Sequence, residues 1–378
     1  MVFSGLHETL QAITLLVNIG LIYFGGSSKR EGIRSGSMAR ALHKKKLPSL
    51  MDVAKASNVS TATVSRCLNE PDKVAQPTLD KVLKCVEELR YLPNFGARAI
   101  AANRTGIYGA IIPTMENAIF AQGIEAFQKT IVENQSTMLV ASSAYDETQE
   151  NRLIRTMVAR GADGLLLIGT ERTQATYDFL AERNIPIVIA WSQAHQSRLS
   201  SVGFDNRQAA KELALRAIQL KHRSFAYISA PRAMNDRARD RVIGTMDALA
   251  EAGFNPNAMP VIEVDYSIDN GKAALKEILT MEQRPSVVMC GNDVLAVGAV
   301  QAAQEAGLRV PEDISITGFD DIELASVVTP KLTTVRVPHQ AMGRRAAEVL
   351  VKLVKDESDV TQVTLDVAIV ERASLAEC

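Results

Sequence analysis

LMDVAKASNVSTATVSRCLNEP, from Leu50 to Pro71, decides how this 378-residue chain is read. Ser49 can cap a helix whose third position is Asp52, a capping box with Asp in place of Glu or Gln. Leu50, Val53, Ala54 and Ser57 then share one face. Asn58 stands where the chain must turn sharply, and Asn tolerates left-handed backbone better than most residues with a side chain. Ser60 caps a second helix that turns Val64, Cys67 and Leu68 inward, and Asn69 with Pro71 stops it. A third helix follows from Pro77, a residue suited to the first helical position, with Leu79, Val82, Leu83, Val86 and Leu89 as its apolar stripe.

These three helices form a helix-turn-helix with a core of its own. The second helix leaves Thr61, Ala62, Ser65 and Arg66 without apolar partners, and that face suits the DNA major groove. Thr61, Ala62 and Arg66 are the candidate base readers, and Ser60, Thr63 and Ser65 the candidate phosphate contacts. Asn69, Tyr91 and Asn94 complete the candidate DNA-binding set near the headpiece. A merely solvated helix face is the alternative reading.

Charge separates the same region from the rest. Residues 38–105 hold 12 Lys and Arg against 6 Asp and Glu, whereas residues 106–378 hold 27 against 35, a division hidden by the net charge of -1. A basic module joined to an acidic body points to one unit that meets a polyanion and a larger one with another task. Four cysteines, Cys67, Cys85, Cys290 and Cys378, show no CxxC and no His at metal-ligand spacing. Neither a metal site nor a disulfide framework is indicated, and a reducing cytoplasm fits them. No cofactor is expected.

Residues 1–37 hold the apolar run LQAITLLVNIGLIYF, shorter than the roughly 20 residues a spanning helix needs. Its positive charges, Lys29, Arg30 and Arg34, follow the run instead of preceding it as in a secretory signal. The expectation is an extension outside the working protein, with Met38 as the start; a weak anchor or targeting segment is the alternative.

From Thr105 short apolar runs alternate with amphipathic stretches. GIYGAIIP, TMLVAS, ADGLLLIG, IPIVIAW, SFAYISA, MPVIEV, PSVVMC and DISITGF read as strands. Ala118–Glu133, Glu147–Arg160, Asn206–Leu220 and Pro338–Val354 read as helices, and VTLDVAIVERA as a last strand. Continuous Val/Ile/Leu strands between helices argue for parallel sheets covered on both faces. Ligands of such folds lie at the carboxyl ends of the strands.

DVAKASNVSTATVSRCLN, VLKCVEELRYLPNFGARAIA and elements along most of the remainder, over about residues 48–372, resemble the Lac repressor family (LacI/GalR type) of bacterial transcription regulators. The family usually has Gly in the turn where this chain has Asn58. The resemblance implies a three-helix headpiece at 38–93, a hinge helix at 94–104 and an α/β core at 105–378. That core is similar to periplasmic binding proteins, with two doubly wound, Rossmann-like subdomains at about 105–204 plus 322–336 and 205–321 plus 337–378.

The hinge is expected to order on the operator and pair with its dimer mate in the minor groove, Ile100 wedging a base step where the family most often has Leu. Arg98 points the same way. Phe120, Trp191, Arg237, Arg241, Tyr266 and Asp293 match effector-contacting positions of the family, with Asn292 beside the last. Aromatic faces can stack on a ring while Arg and Asp bind hydroxyls. Many relatives have Asp before the Trp; this chain has Ala190.

RARDR places Arg237, Arg239 and Arg241 together, and several guanidiniums beside a cleft favour an anion such as a sugar acid. Ion pairing at the surface or between subunits is the alternative for Arg237 and Arg239. GTERTQ and SVGFDN look most like the gluconate-utilisation repressor branch. The expected partners are a near-palindromic double-stranded operator, a sugar or sugar-acid effector, and a second copy of the chain. A secreted solute-binding protein would share the body but has no use for the headpiece. An enzyme is disfavoured, because GxGxxG after a strand, GxxxxGK[ST] and GxSxG are all missing.

Overall fold

The structure, a computed structural model, describes residues 47–92, 104–116, 118–194 and 199–378. Residues 1–46, with the apolar run, and the hinge with Asn94, Arg98 and Ile100 lie outside the described residues. The chain divides near Pro93 into two compact units.

In the first unit, helix α1 (Leu50–Ser57) opens with the expected box: Ser49 N–H donates to Asp52 at 2.8 Å, and the Ser49 side chain accepts from Asp52 N–H. Asn58 is left-handed, with φ 50° and ψ 47°. Ser60 then caps α2 (Thr61–Asn69) by accepting from Thr63 N–H at 3.1 Å. A 3₁₀ turn (Pro71–Lys73) leads to α3 (Gln76–Leu89), with Pro in its first turn.

Val53, Ala54, Val64, Cys67, Val82, Cys85 and Tyr91 form the core of this unit. Leu83 is a correction, because it is 44 % exposed. The stripe runs Val82, Cys85, Val86, Leu89 at i, i+3, i+4 and i+7, and Leu83 sits one residue, about 100°, off it.

The second unit holds two parallel sheets. The first has strands β1 (Ile107–Ile112), β2 (Thr137–Ser142), β3 (Gly164–Ile168), β4 (Ile187–Ala190) and β5 (Ser200–Gly203). Helices α4 (Ala118–Glu133), α5 (Glu147–Ala159) and α6 (Gln174–Glu182) connect them. The second has β6 (Phe225–Ser229), β7 (Val261–Glu263), β8 (Val287–Cys290) and β9 (Ser315–Thr317) in the order β7-β6-β8-β9. With it go α7 (Asn206–Gln219), α8 (Asp236–Glu251), α9 (Ile268–Leu279), α10 (Asp293–Glu305) and α11 (Glu323–Val327). Each sheet buries apolar side chains on both faces, in separate clusters. Continuous apolar strands require this.

The C-terminal region exchanges the expected subdomain assignments. β10 (Thr334–Arg336) follows the second subdomain, bonded through Gly318 N–H to Thr333 C=O. The chain then crosses, and α12 (His339–Val354) packs on α4, β3, β4 and β5. β11 (Gln362–Thr364) adds to β5, giving the six-stranded order β11-β5-β4-β3-β1-β2. After a third crossing, β12 (Ala368–Val370) pairs antiparallel with β10. Residues 322–336 therefore belong to the second subdomain and 339–364 to the first. The stretch read as one last strand, VTLDVAIVERA, is two strands in different subdomains, broken at the third crossing. The Ser200–Gly203 strand had no sequence signal, since SSVG lacks an apolar run.

Candidate functional site

On α2, Thr61, Ala62 and Arg66 are exposed, as are Ser60 and Asn69, while Thr63 and Ser65 are half-buried. The cap geometry presents this face, because Val64 and Cys67 turn the opposite side into the core. Two of the hydroxyls are already engaged: Ser60 Oγ lies 2.8 Å from Thr63 Oγ1, and Ser65 Oγ accepts from Asn69 at 3.2 Å. Tyr91, a DNA-binding candidate, lies in the headpiece core at 7 % exposure. Its place in an apolar cluster orients the end of α3.

Between the two subdomains a cavity of about 530 Å³ opens at the carboxyl ends of the parallel strands. Thr114 after β1, Tyr145 after β2, Tyr266 after β7 and Val294 after β8 line it. The Tyr145 and Tyr266 rings face each other from opposite subdomains, 6.3 Å apart and tilted by 48°. Burial is the main force raising the pKa of both phenols. Both therefore stay neutral donors at physiological pH. Tyr145 was missed from the sequence. Its signal is conformational: Ala144 and Tyr145 are both left-handed, at φ 52° and 58°, a strained pairing for residues with side chains.

Of the effector candidates, Tyr266 alone lines this cavity, and Arg237 borders a much smaller one nearby. Phe120 and Trp191 are buried at 4 % and 1 % exposure, packed edge to face at 5.4 Å within the first subdomain. Trp191 donates its indole N–H to His339 Nδ1 at 3.0 Å. These aromatic groups are core, with no face open to a ligand.

Arg241 donates to Asn206 Oδ1 at 2.9 Å and Gly291 O at 2.7 Å, pairs with Asp320 at 3.4 Å, and lies 3.8 Å over the Phe319 ring. Asn292 caps α10 through Leu295 N–H at 2.9 Å. Asp293 accepts from the Thr334 hydroxyl at 2.6 Å and from Ile322 N–H at 2.8 Å. Burial, then Asp320, pushes its carboxyl up to about 8.

The three arginines of RARDR, expected to favour an anion, are already ion-paired. Arg237 pairs with Asp236 at 2.7 Å, Arg239 with Glu171 across the cleft, and Arg241 with Asp320. Each guanidinium has its own carboxylate, so RARDR supplies no excess positive charge. These partners lie in other elements or in the helix's own first residue, which the clustering of arginines could not disclose. Among the described residues no group of three His, Cys, Asp or Glu could hold a metal ion.

A capped helix-turn-helix with an open polar face, joined in one chain to two Rossmann-like subdomains enclosing a small-molecule cavity, defines a ligand-responsive DNA-binding regulator. Residues 49–94 match the family described as bacterial regulatory proteins, lacI family, and residues 214–375 match the periplasmic binding protein-like domain. The chain is 32 % identical to the HTH-type transcriptional repressor PurR of Klebsiella pneumoniae (strain 342), over 88 % of this chain and 98 % of the relative.

Among solved structures, the Lac repressor dimer bound to operator and the anti-inducer ONPF aligns with TM-score 0.79 and 25 % identity, covering 88 % of this chain and 100 % of that one. A transcriptional regulator CelR–cellobiose complex aligns with TM-score 0.65 and 26 % identity, over 86 % and 99 %. The chain belongs to the LacI family of bacterial regulatory proteins. Its relatives are transcriptional repressors, not enzymes. Among the described residues no helix is long and apolar enough to cross a membrane.

Proposed function

We propose that the chain is a cytoplasmic, homodimeric repressor of carbohydrate-utilisation genes, released from or driven onto its operator by a ring-shaped, hydroxyl-rich effector. The observation that carries this reading is the cavity of about 530 Å³ with Tyr145 and Tyr266 contributed by opposite subdomains. A ring seated against both would bind the two subdomains at once and shift their populations by its differential affinity for the two arrangements. Each headpiece would read a half-site, so two-fold symmetry asks for a near-palindrome. The operator-bound Lac repressor dimer and the cellobiose complex among the relatives support both halves of the reading.

A sugar acid such as gluconate, the effector suggested by GTERTQ and SVGFDN, is the second version. Arg237, buried beside the smaller cavity, favours it on the condition that a ligand carboxylate takes the guanidinium from Asp236.

The test is selection of bound sequences from random DNA with and without neutral sugars, sugar acids and nucleobases, paired with thermal shifts. Recovery of a near-palindrome whose occupancy changes with a neutral sugar supports the main reading. A response to sugar acids alone selects the second version. A response confined to nucleobases overturns the carbohydrate assignment while leaving the operator reading intact.

A further inference from the structure

Trp191 directly follows β4 in the first subdomain, with φ 62°, a left-handed backbone that a bulky residue adopts only when its surroundings impose it. Two hydrogen bonds impose it. Its carbonyl accepts from Asn206 Nδ2 at 2.9 Å, and Asn206 is the first residue of α7, just beyond the first crossing between subdomains. Its indole N–H reaches His339 Nδ1 at 3.0 Å, and His339 is the first residue of α12, just beyond the second crossing. Asn206 in turn holds Arg241, which holds Gly291 and Asp320 at the cleft end of the second subdomain. Trp191 therefore ties two crossings together, its indole holding the second and its carbonyl the first and, through Asn206, the floor of the cleft.

An indole N–H can only donate, so His339 Nδ1 must be a lone pair and the imidazole neutral, its proton on Nε2. Protonation at Nδ1 would set two donors against each other. It would also place a cation at a helix N-terminus, where the macrodipole opposes it. The remaining surroundings are Gly123 of α4, whose added Cβ would meet the Trp191 ring at 2.5 Å and the His339 carbonyl at 3.1 Å, and the charged pair Asp320 and Arg241.

We infer that His339 is a positioning residue for the switch: its neutral imidazole holds Trp191 in place across the subdomain crossings, and an acidifying proton releases it. Burial lowers the His339 pKa below its usual 6.5, with Asp320 pulling the other way and Arg241 adding to the burial effect. The imidazole therefore stays neutral at physiological pH and titrates in the acid range.

Trp191 is the one tryptophan of the chain, so its signals are unambiguous and need neither operator nor effector. The full-length protein is followed by fluorescence emission and by the indole N–H resonance from pH 7 to 5. The expected result is a single step with a midpoint below 6.5, in which the indole proton moves upfield as its acceptor is lost. H339N keeps an acceptor oxygen that does not titrate and should remove the step, while H339L should show the acid-form spectrum already at pH 7. His222 is also lowered by burial but lies against Ser286 and Ala376, so it contributes equally to parent and variants. A step of the same midpoint in parent and H339N, or no step in the parent, overturns the inference. If a variant does not fold, the His339 ring resonances of the parent are followed through the same titration: a midpoint shared with the indole proton supports the inference, and separate midpoints overturn it.

Discussion

Asp236 reaches across the cleft to Thr170, accepting its N–H at 2.7 Å and its hydroxyl at 2.9 Å with one oxygen, while the other holds Arg237 at 2.7 Å. One carboxylate thus joins the loop after β3 to the first turn of α8. Gly169 makes the approach possible, since a Cβ there would lie 2.1 Å from Arg237 Nη1. Burial pushes the Asp236 pKa up, but Arg237 and the Thr170 bonds outweigh it and hold the carboxyl below its ordinary value.

Asp236→Asn leaves the Arg237 guanidinium buried without its counter-charge. The expected loss is about 3–5 kcal/mol in urea unfolding at pH 7, the range for breaking a buried pair by removing one partner. A loss within about 0.5 kcal/mol, the size of an ordinary surface change, would mean the pair is not formed in solution. Because the folded pKa is depressed, this stabilisation is present above the unfolded carboxylate pKa and is lost as pH falls through the folded value. The variant should lack that acid-range component.

Gly343→Ala tests the packing of α4 against α12. The added Cβ would stand 1.8 Å from Gly123 O, a backbone atom inside a helix that cannot swing aside. Separation of the two helices costs about 1–3 kcal/mol by the usual penalty for overpacking. A melting temperature equal to the parent's would show that the helices are less closely apposed.

How much of this was legible in the sequence follows the distance between partners. The headpiece was readable almost residue by residue, because Ser49 with Asp52 and Ser60 with Thr63 are neighbours whose spacing carries the bond. Leu83 failed there since two adjacent leucine and valine positions fit the stripe equally well until Cys85 is counted as apolar. In the core, the apolar strands were legible, the polar Ser200–Gly203 strand and the break within VTLDVAIVERA were not, and neither was subdomain membership. Whether residues 339–354 cover one sheet or the other depends on contacts with β3 and β4, some 150–190 residues earlier. The cleft was read least well. Trp191 and Phe120 are aromatic residues at strand ends whether they face a ligand or each other, and only the His339 bond distinguishes the two.

Arg66 is the one long side chain among the candidate base readers on α2, with no ion pair or hydrogen bond from its guanidinium among the described residues. Arg66→Ala should weaken binding to the selected operator by about 1–3 kcal/mol and relax preference at one base position per half-site. Competition binding against single-base variants of that operator measures both effects. A uniform loss across all variants would reassign Arg66 to the phosphate backbone.

Asp293 offers the last test, and its sign runs opposite to that of Asp236. Its carboxyl is raised from 3.8 to about 8, first by burial and next by Asp320. Between those values the folded protein keeps a proton that the unfolded chain has released. Stability from this group is therefore fully present below about pH 4 and declines as pH rises, until the folded carboxyl ionises near 8. The slope is at most about 1.4 kcal/mol per pH unit, and smaller where Thr334 and Ile322 support the ionised form. Asp293→Asn cannot ionise, and it keeps one acceptor oxygen for Ile322 N–H while its amide donates to the Thr334 hydroxyl, as the protonated carboxyl would. In urea unfolding without effector, the variant should flatten the decline between pH 5 and 8 and gain on the parent toward pH 8. Parallel curves for the two proteins would show that Asp293 is ionised throughout and that the bonds from Thr334 and Ile322 outweigh its burial.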